Sequence, residues 1–231
     1  MNAQTEIVAA HEDKEDLYYA VHKGLRLASA RMLIALGQLD PFDRDAVAAA
    51  LKQLDDHIAM GMSHLTHENR EIHTVVEQRL PGASDHAGED HDHHVEAFEE
   101  LRRLADDLVA AEGEARPARL RKLYQRFALF VADDFKHMHE EETEIQPQIE
   151  AHFSASEITG IRERIVGAIS PDKMVLFMRA MMGAASRPER IGMVTGMKEG
   201  MPAEVFAGFM QAVVGQSWRF GDWEELEARL C

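Results

Sequence analysis

DRDAVAAALKQLDDHIAMGMSHLTHENREIHTVVEQR, residues 43 to 79, is the stretch that decides the fold. Val47, Leu51, Leu54, Ile58, Leu65, Ile72 and Val76 recur at the spacing that gathers side chains on one face of a helix. Asp40-Pro41 stands before the stretch and Pro81-Gly82 after it, so one long helix is predicted from about Asp43 to Arg79. It carries two His-x-x-x-Glu pairs, His64 with Glu68 and His67 with Glu71; residues four apart lie one turn above each other. At about 100° per residue, His64 and Glu68 fall nearer the apolar stripe and are the preferred pair. His57, two turns before His64, lies at the edge of that face.

Three more helices are predicted outward from this one. The first runs from about Asp16 to Leu39, with Tyr18, Val21, Leu25, Ala28, Met32 and Leu36 on one face. The third begins near Asp85 to Asp90 and passes Val95, Phe98, Leu101, Leu104 and Leu108 to about Glu112. The fourth follows Glu114 to Pro117, carries Leu123, Phe127, Phe130, Val131, Met138, Ile145 and Ile149 inward, and ends near Ala151. Strand signals are absent. Four amphipathic helices with short links make an all-α, up-down four-helix bundle the expected architecture.

All 13 histidines lie between His11 and His152, whereas eight of the 13 methionines fall from Met174 onward. That shift divides the chain into an N-terminal segment (residues 1–13), the bundle (14–152) and an all-helical C-terminal extension (153–231). In the extension, Ser154 with Glu157 is a capping-box pattern, and Ser170-Pro171 sets a cap followed by proline at the first helical position. Pro188, Pro202 and Asp222 open further short helices, and Gly183, Gly200 and Gly215 stand where such helices can end. The methionines there, among Leu176, Phe177, Ile191 and Phe209, are expected to fill core gaps, and Trp218 and Trp223 to anchor the last helix.

Forty-one acids against 25 bases give a formal net charge of −16, which argues against nucleic-acid or membrane-surface partners. No apolar run reaches the ~20 residues of a spanning helix, and the polar, acidic start lacks the features of a secretory signal, so a cytoplasmic protein is expected. The only cysteine is Cys231, so thiolate metal sites are excluded and a metal here must be held by nitrogen and oxygen.

The core faces supply such donors. His22 shares a face with Tyr18 and Leu25, His91 and His94 share the face of Val95, Phe98 and Leu101, and His137 with Glu141 forms another His-x-x-x-Glu pair. His11, His73, His86, His93, His139 and His152 fall off the stripes or near helix ends and read as surface residues. The converging set is His22, His64, Glu68, His91, His94, His137 and Glu141. Five imidazoles and two carboxylates are costly to bury unless paired or bound to metal, and mixed imidazole and carboxylate ligation suits iron, manganese or zinc.

Across residues 14 to 150 the chain resembles the hemerythrin-like proteins, also called the HHE cation-binding family. The matching stretches are His22-Lys23-Gly24-Leu25-Arg26, His64 to Pro81, His91 to His94, and His137-Met138-His139-Glu140-Glu141-Glu142. The resemblance implies two non-haem iron ions, with Glu68 and Glu141 bridging and the imidazoles as terminal ligands. The chain departs from it in two places. His91 and His94 are three apart rather than four, which leaves open which of them ligates. His67-Glu68-Asn69-Arg70-Glu71 also fits a His-Glu-x-x-Glu form of the second helix. The implied function is binding or sensing of dioxygen or iron. The alternatives are an enzyme acting on peroxide or nitric oxide or donating iron for repair, and a helical regulatory protein with a structural metal. Tyr18 and Tyr19 are the proton donors nearest His22 in sequence, and the extension is the expected surface for a protein partner or a homodimer.

Overall fold

The computed structural model describes residues 14–214, and every described element is helical. Helix α1 spans Tyr19–Gln38 and α2 spans Arg44–His67. A wider π-helical turn, Glu68–His73, carries α2 without a break into α3, Thr74–Arg79. Helix α4 is Asp85–Ala110. Helix α5, Ala115–Glu140, continues through a second π-helical turn, Glu141–Ile145, into α6, Gln146–His152. The extension adds α7 (Ala155–Ala168), α8 (Pro171–Ala184), α9 (Arg187–Gly200) and α10 (Ala203–Val213).

Local chemistry sets the boundaries. The Asp16 carboxylate accepts from the backbone N–H groups of Tyr18 and Tyr19, and Asp43 accepts from that of Ala46, satisfying donors that a helix start leaves free. Gly82, with φ +86°, turns the chain after Pro81, while Glu77 accepts from the N–H groups of Gly82 and Ser84. In the extension, the Ser154–Glu157 capping box forms as its spacing predicts, and Ser170 stands at the N-cap position of α8, without a side-chain capping bond, with Pro171 at its start. A second capping box, Ser186 with Glu189, opens α9 one residue before Pro188. Asp222, Gly215, Trp218, Trp223, Cys231 and His11 lie outside the described residues.

Helix α1 packs on α2 and α5, and α4 packs on the same two. Their apolar faces form two clusters. One contains Met32, Leu36, Leu54, Ile58, Phe98, Leu101, Phe127 and Phe130. The other contains Tyr18, Ile72, Val76, Ala87, Ile145 and Ile149, together with Phe153, Ile158 and Ile161 of the extension. Successive long segments enter these clusters in opposite order: α1 meets the second first, α2 the first, α4 the second, α5 the first. They therefore alternate in direction. In each, proposed site residues stand where one cluster gives way to the other: His22, His64 and Glu68, His91, and His137 and Glu141.

The extension docks along the opposite side of α1, where α8 makes the most extensive helix contact of the described chain. Gly24 permits this: a Cβ there would stand 2.8 Å from the backbone nitrogen of Met181. Met178, Met182 and Met210 are buried with Val194, Val213 and Val214 in a separate apolar cluster, so these methionines fill a core. Arg79 lies 4.0 Å over the Phe153 ring and pairs with Glu157, holding α7 to the end of α3. No described helix is long and apolar enough to cross a membrane.

Candidate metal centre

Two groups of four buried residues offer ligand atoms within 4.8 Å of one another: His22, His64, Glu68 and Glu141, and Glu68, His91, His137 and Glu141. Both carboxylates belong to both groups. Glu68 Oε1 lies 3.1 Å from His64 Nε2 and 3.5 Å from His22 Nε2, while Glu68 Oε2 lies 3.5 Å from His91 Nε2. Glu141 Oε2 stands 3.4 Å from His22 Nε2 and 3.3 Å from His137 Nε2, and its Oε1 stands 3.6 Å from His91 Nε2. The carboxylates thus lie between two sets of imidazoles.

Most of these separations are 3.5 Å or less, yet none of them is a hydrogen bond. Both oxygens of Glu68 and of Glu141, and the Nε2 atoms of His22 and His64, are buried without a hydrogen-bond partner. Two donors bound ~2.1 Å from a shared ion stand ~3.0 Å apart at a right angle and ~3.4 Å apart at a tetrahedral one. The nitrogen-to-oxygen spacings fall at or near those values, so the residues present fit a metal ion. Two carboxylates at 3% and 0% exposure with no donor of their own call for a cation between them. The buried His/Glu cluster can hold a metal ion; the donor set does not by itself distinguish iron, manganese and zinc.

His73 is the residue the sequence reading placed wrongly. It is buried, its Nε2 lies 3.3 Å from Glu141 Oε1, and its ring stacks on that of His91 at 5.0 Å. Its position follows from the π-helical turn, in which the N–H of Thr74 reaches the carbonyl of Asn69, five residues back. In an α-helix a residue five beyond Glu68 is rotated ~140° from it. A π turn of roughly 4.4 residues reduces that to ~50° and brings His73 round to the face of Glu68. The second π turn begins at Glu141, where the N–H of Gln146 reaches the Glu141 carbonyl. Both carboxylates therefore open a re-phased turn.

His94 is buried, but its ring packs edge-on against His137 at 5.0 Å and Phe130 at 5.6 Å, and it joins neither group of four. Burial and the neighbouring His137 push its pKa down to about 3. His67 turns toward the extension: its Nδ1 is 3.5 Å from Ser63 Oγ, and it lines a cavity with Ala168, Ser170 and Lys173. Glu71 pairs with Arg70 and with Arg164 of α7. The second His-x-x-x-Glu pair thus faces the join between α2 and the extension. His57 sits among Phe127 and Phe130, at 5.4 and 6.2 Å between rings, outside both groups. His86, His93, His139 and His152 are exposed, as the sequence predicts.

Outer contacts orient the imidazoles. His22 Nδ1 is 3.1 Å from Glu142 Oε1, and Arg26 holds the same oxygen at 2.6 Å. His91 Nδ1 donates to Asn69 Oδ1 at 2.7 Å, which orients the ring so that its Nε2 stands 2.9 Å from His137 Nε2 and beside both carboxylates. Asp90 Oδ2 lies 3.5 Å from His137 Nδ1. Of these partners, Glu142 and Asn69 stand within stretches quoted above, though neither was singled out there, and Asp90 carries no sequence signal of its own.

Burial opposes a proton on His22, but the hydrogen bond to Glu142 and the nearby carboxylates of Glu68 and Glu141 override it and push the pKa up to about 10. Burial pushes His64 down to about 4 and also lowers His137, leaving neutral imidazole, the metal-binding form. Burial works against ionisation of Glu68 and Glu141 as well, yet the surrounding histidines hold both below the ordinary carboxyl range. Tyr18 is fully buried, its ring 5.3 Å from that of His22 and its hydroxyl without a partner. Burial, then the charges of Glu141 and Glu68, raise its pKa well above the usual value. Tyr19, by contrast, is exposed, with Lys23 over its ring.

A scan against protein-family models, a search of curated proteins and a search of solved structures each find no match to this chain.

Proposed function

We propose that the four long segments form a hemerythrin-like four-helix bundle that holds two non-haem iron ions and binds or senses dioxygen or a related small diatomic ligand. The observation that carries the reading is the sharing of Glu68 and Glu141 between two sets of imidazoles, since a pair of ions needs bridging anions between its terminal ligands. On this reading His22 and His64 would serve one ion, His91 and His137 the other, and His73 would be a further imidazole on the Glu141 side. An iron pair, when bound, supplies an electron-rich place for a small diatomic ligand. The chain's own residues exclude water with the two flanking apolar clusters and orient the imidazoles through Glu142 and Asn69.

Tyr18 favours a second reading, an enzyme acting on peroxide or nitric oxide. A neutral, buried phenol without a hydrogen-bond partner beside His22 is suited to giving a hydrogen bond or a proton to a ligand in the site.

The test is metal analysis of the purified chain with an optical spectrum taken with and without oxygen. Two irons per chain and an oxygen-dependent spectrum are expected. A chain equally stable and free of metal after expression in iron-, manganese- and zinc-replete medium overturns the reading. Within the site, His73→Ala is expected to lower metal occupancy and His94→Ala to leave the stoichiometry unchanged; the opposite pattern returns the fifth imidazole to α4.

A further inference from the structure

The extension does more than cover α1. Between α1, the end of α2 and the helices α7 and α8 lies a cavity of about 230 Å³. Its walls are mainly apolar, including Val21, Ile165, Ile169, Met174, Phe177 and Met181. His64 and Glu68 of the metal centre line it as well. Both are buried, and His64 Nε2 and both Glu68 oxygens lack hydrogen-bond partners. Asp16 and Arg162 are the other charged residues in its lining.

We propose that this cavity is a binding site for a neutral, single-ring aromatic molecule carrying a hydroxyl group, with the hydroxyl directed toward His64 and Glu68. A dry apolar cavity of ~150 Å³ accepts benzene, so this one has room for a substituted ring. Phe177 and three methionines, Met174, Met178 and Met181, suit an aromatic guest, because thioethers pack adaptably and make favourable contacts with rings. The polar end selects the head group. An anionic carboxylate would be driven into Glu68, with Glu141 behind it, while a hydroxyl can donate to a carboxylate. The hydroxyl uses the same His64 nitrogen and Glu68 oxygens that a metal ion would take, so this recognition belongs to the metal-free chain and is tested there apart from the iron reading. It also gives the histidine-free extension a role, because α7 and α8 supply most of the apolar wall.

The experiment is a titration of the full chain, labelled at the methionine methyl groups, with p-cresol followed by NMR. It is run on metal-free protein and repeated after zinc loading, which should weaken p-cresol because zinc takes His64 and Glu68. Saturable shifts at Met174, Met178 and Met181, with Met32 and Met193 unmoved and half-saturation below ~1 mM, are expected. Benzoate should bind at least ten times more weakly. Val166→Trp, which adds bulk at an exposed position of the lining, should weaken p-cresol at least tenfold while leaving the melting temperature near that of the parent. Absent or unsaturable shifts, equal binding of benzoate, or an unchanged affinity in Val166→Trp overturns the proposal. A chain that binds p-cresol but never holds metal keeps the cavity and removes the iron reading; one that holds metal but ignores p-cresol when metal-free does the reverse.

Discussion

Gly24→Ala tests how closely the extension is seated on α1. The added Cβ would stand 2.8 Å from Met181 N and 3.1 Å from both Ala180 C and Met181 Cα. All three are backbone atoms, so no side chain can swing away. Carbon contacts relax at roughly 3.5–4.0 Å, which requires α8 to retreat by about 0.5–1 Å, and overpacking of this kind costs about 1–3 kcal/mol. Alanine is also the better helix former, by up to ~1 kcal/mol, which partly hides the cost. Gly196→Ala in α9 is the control, since its Cβ meets nothing within 4 Å and the propensity gain is the same. The two variants should therefore differ by about 1–3 kcal/mol, a gap of roughly 2–12 °C in melting temperature for a chain of this size. Thermal melts followed by circular dichroism measure the gap, and amide exchange in α8 should rise only in Gly24→Ala. If Gly24→Ala is as stable as Gly196→Ala, the close approach of α8 to α1 does not hold in solution.

His64→Ala should cut metal content by at least one ion per chain, whereas His67→Ala should keep the metal and instead raise proteolysis near the α7–α8 turn; elemental analysis and limited trypsin digestion separate the two. Glu142→Gln, which removes the charge oriented on His22 Nδ1, should weaken metal binding about 10–100-fold in a chelator competition. His57 links stability to pH. Burial pushes its folded-state pKa down to about 4, below the ~6.5 of an unfolded chain, so the unfolded state takes the proton first. Stability that is present above pH 6.5 is then lost as pH falls toward 4, and His57 accounts for ~2 kcal/mol of that loss by pH 5. Urea melts of metal-free protein at pH 7 and pH 5 should show a correspondingly smaller drop in His57→Leu, and equal drops would refute the assignment.

The helices were legible because their signals are local. The stripe from Val47 to Val76, the breaks at Pro41 and Pro81-Gly82 and the capping box at Ser154 each act within a few residues, and each lands within a few residues of its observed boundary. The preference for His64 and Glu68 over His67 and Glu71 also follows from rotation about one axis, and the structure places the first pair in the cluster and the second against the extension. His73 was misjudged by the same reasoning, because it assumes a constant turn, whereas the choice left open between His91 and His94 falls to His91 in the cluster. One π-helical turn rotates everything beyond Glu68 relative to what lies before it, and a wider turn has no pattern in a single sequence. The α-helical phase still placed Ile72 and Val76 inward, where they are buried, and what it missed beyond Glu68 was His73. The cavity was illegible for another reason: its walls come from α1, α2, α7 and α8, and only packing brings them together.

The same geometry explains why the cluster belongs to function and not to the stability of the fold. Hydrophobic side chains of similar volume at Glu68 and Glu141 would join the two apolar clusters into one core without the desolvation cost of two charges. Instead the chain interrupts its core in all four long segments at one level, and twice widens a helix to do so. Surrounding imidazoles offset part of the charge, yet the carboxylate oxygens still lack hydrogen bonds. A polar network left half satisfied is worse for stability than an apolar core. A bound cation would complete it, and the proposed pair of ions would use every oxygen of the shared carboxylates. Metal should therefore raise the melting temperature of the parent chain substantially, and should do so far less in a Glu68→Leu, Glu141→Leu double variant. That double variant should in turn melt at or above the metal-free parent; a lower melting temperature would mean that the buried carboxylates support the fold by themselves.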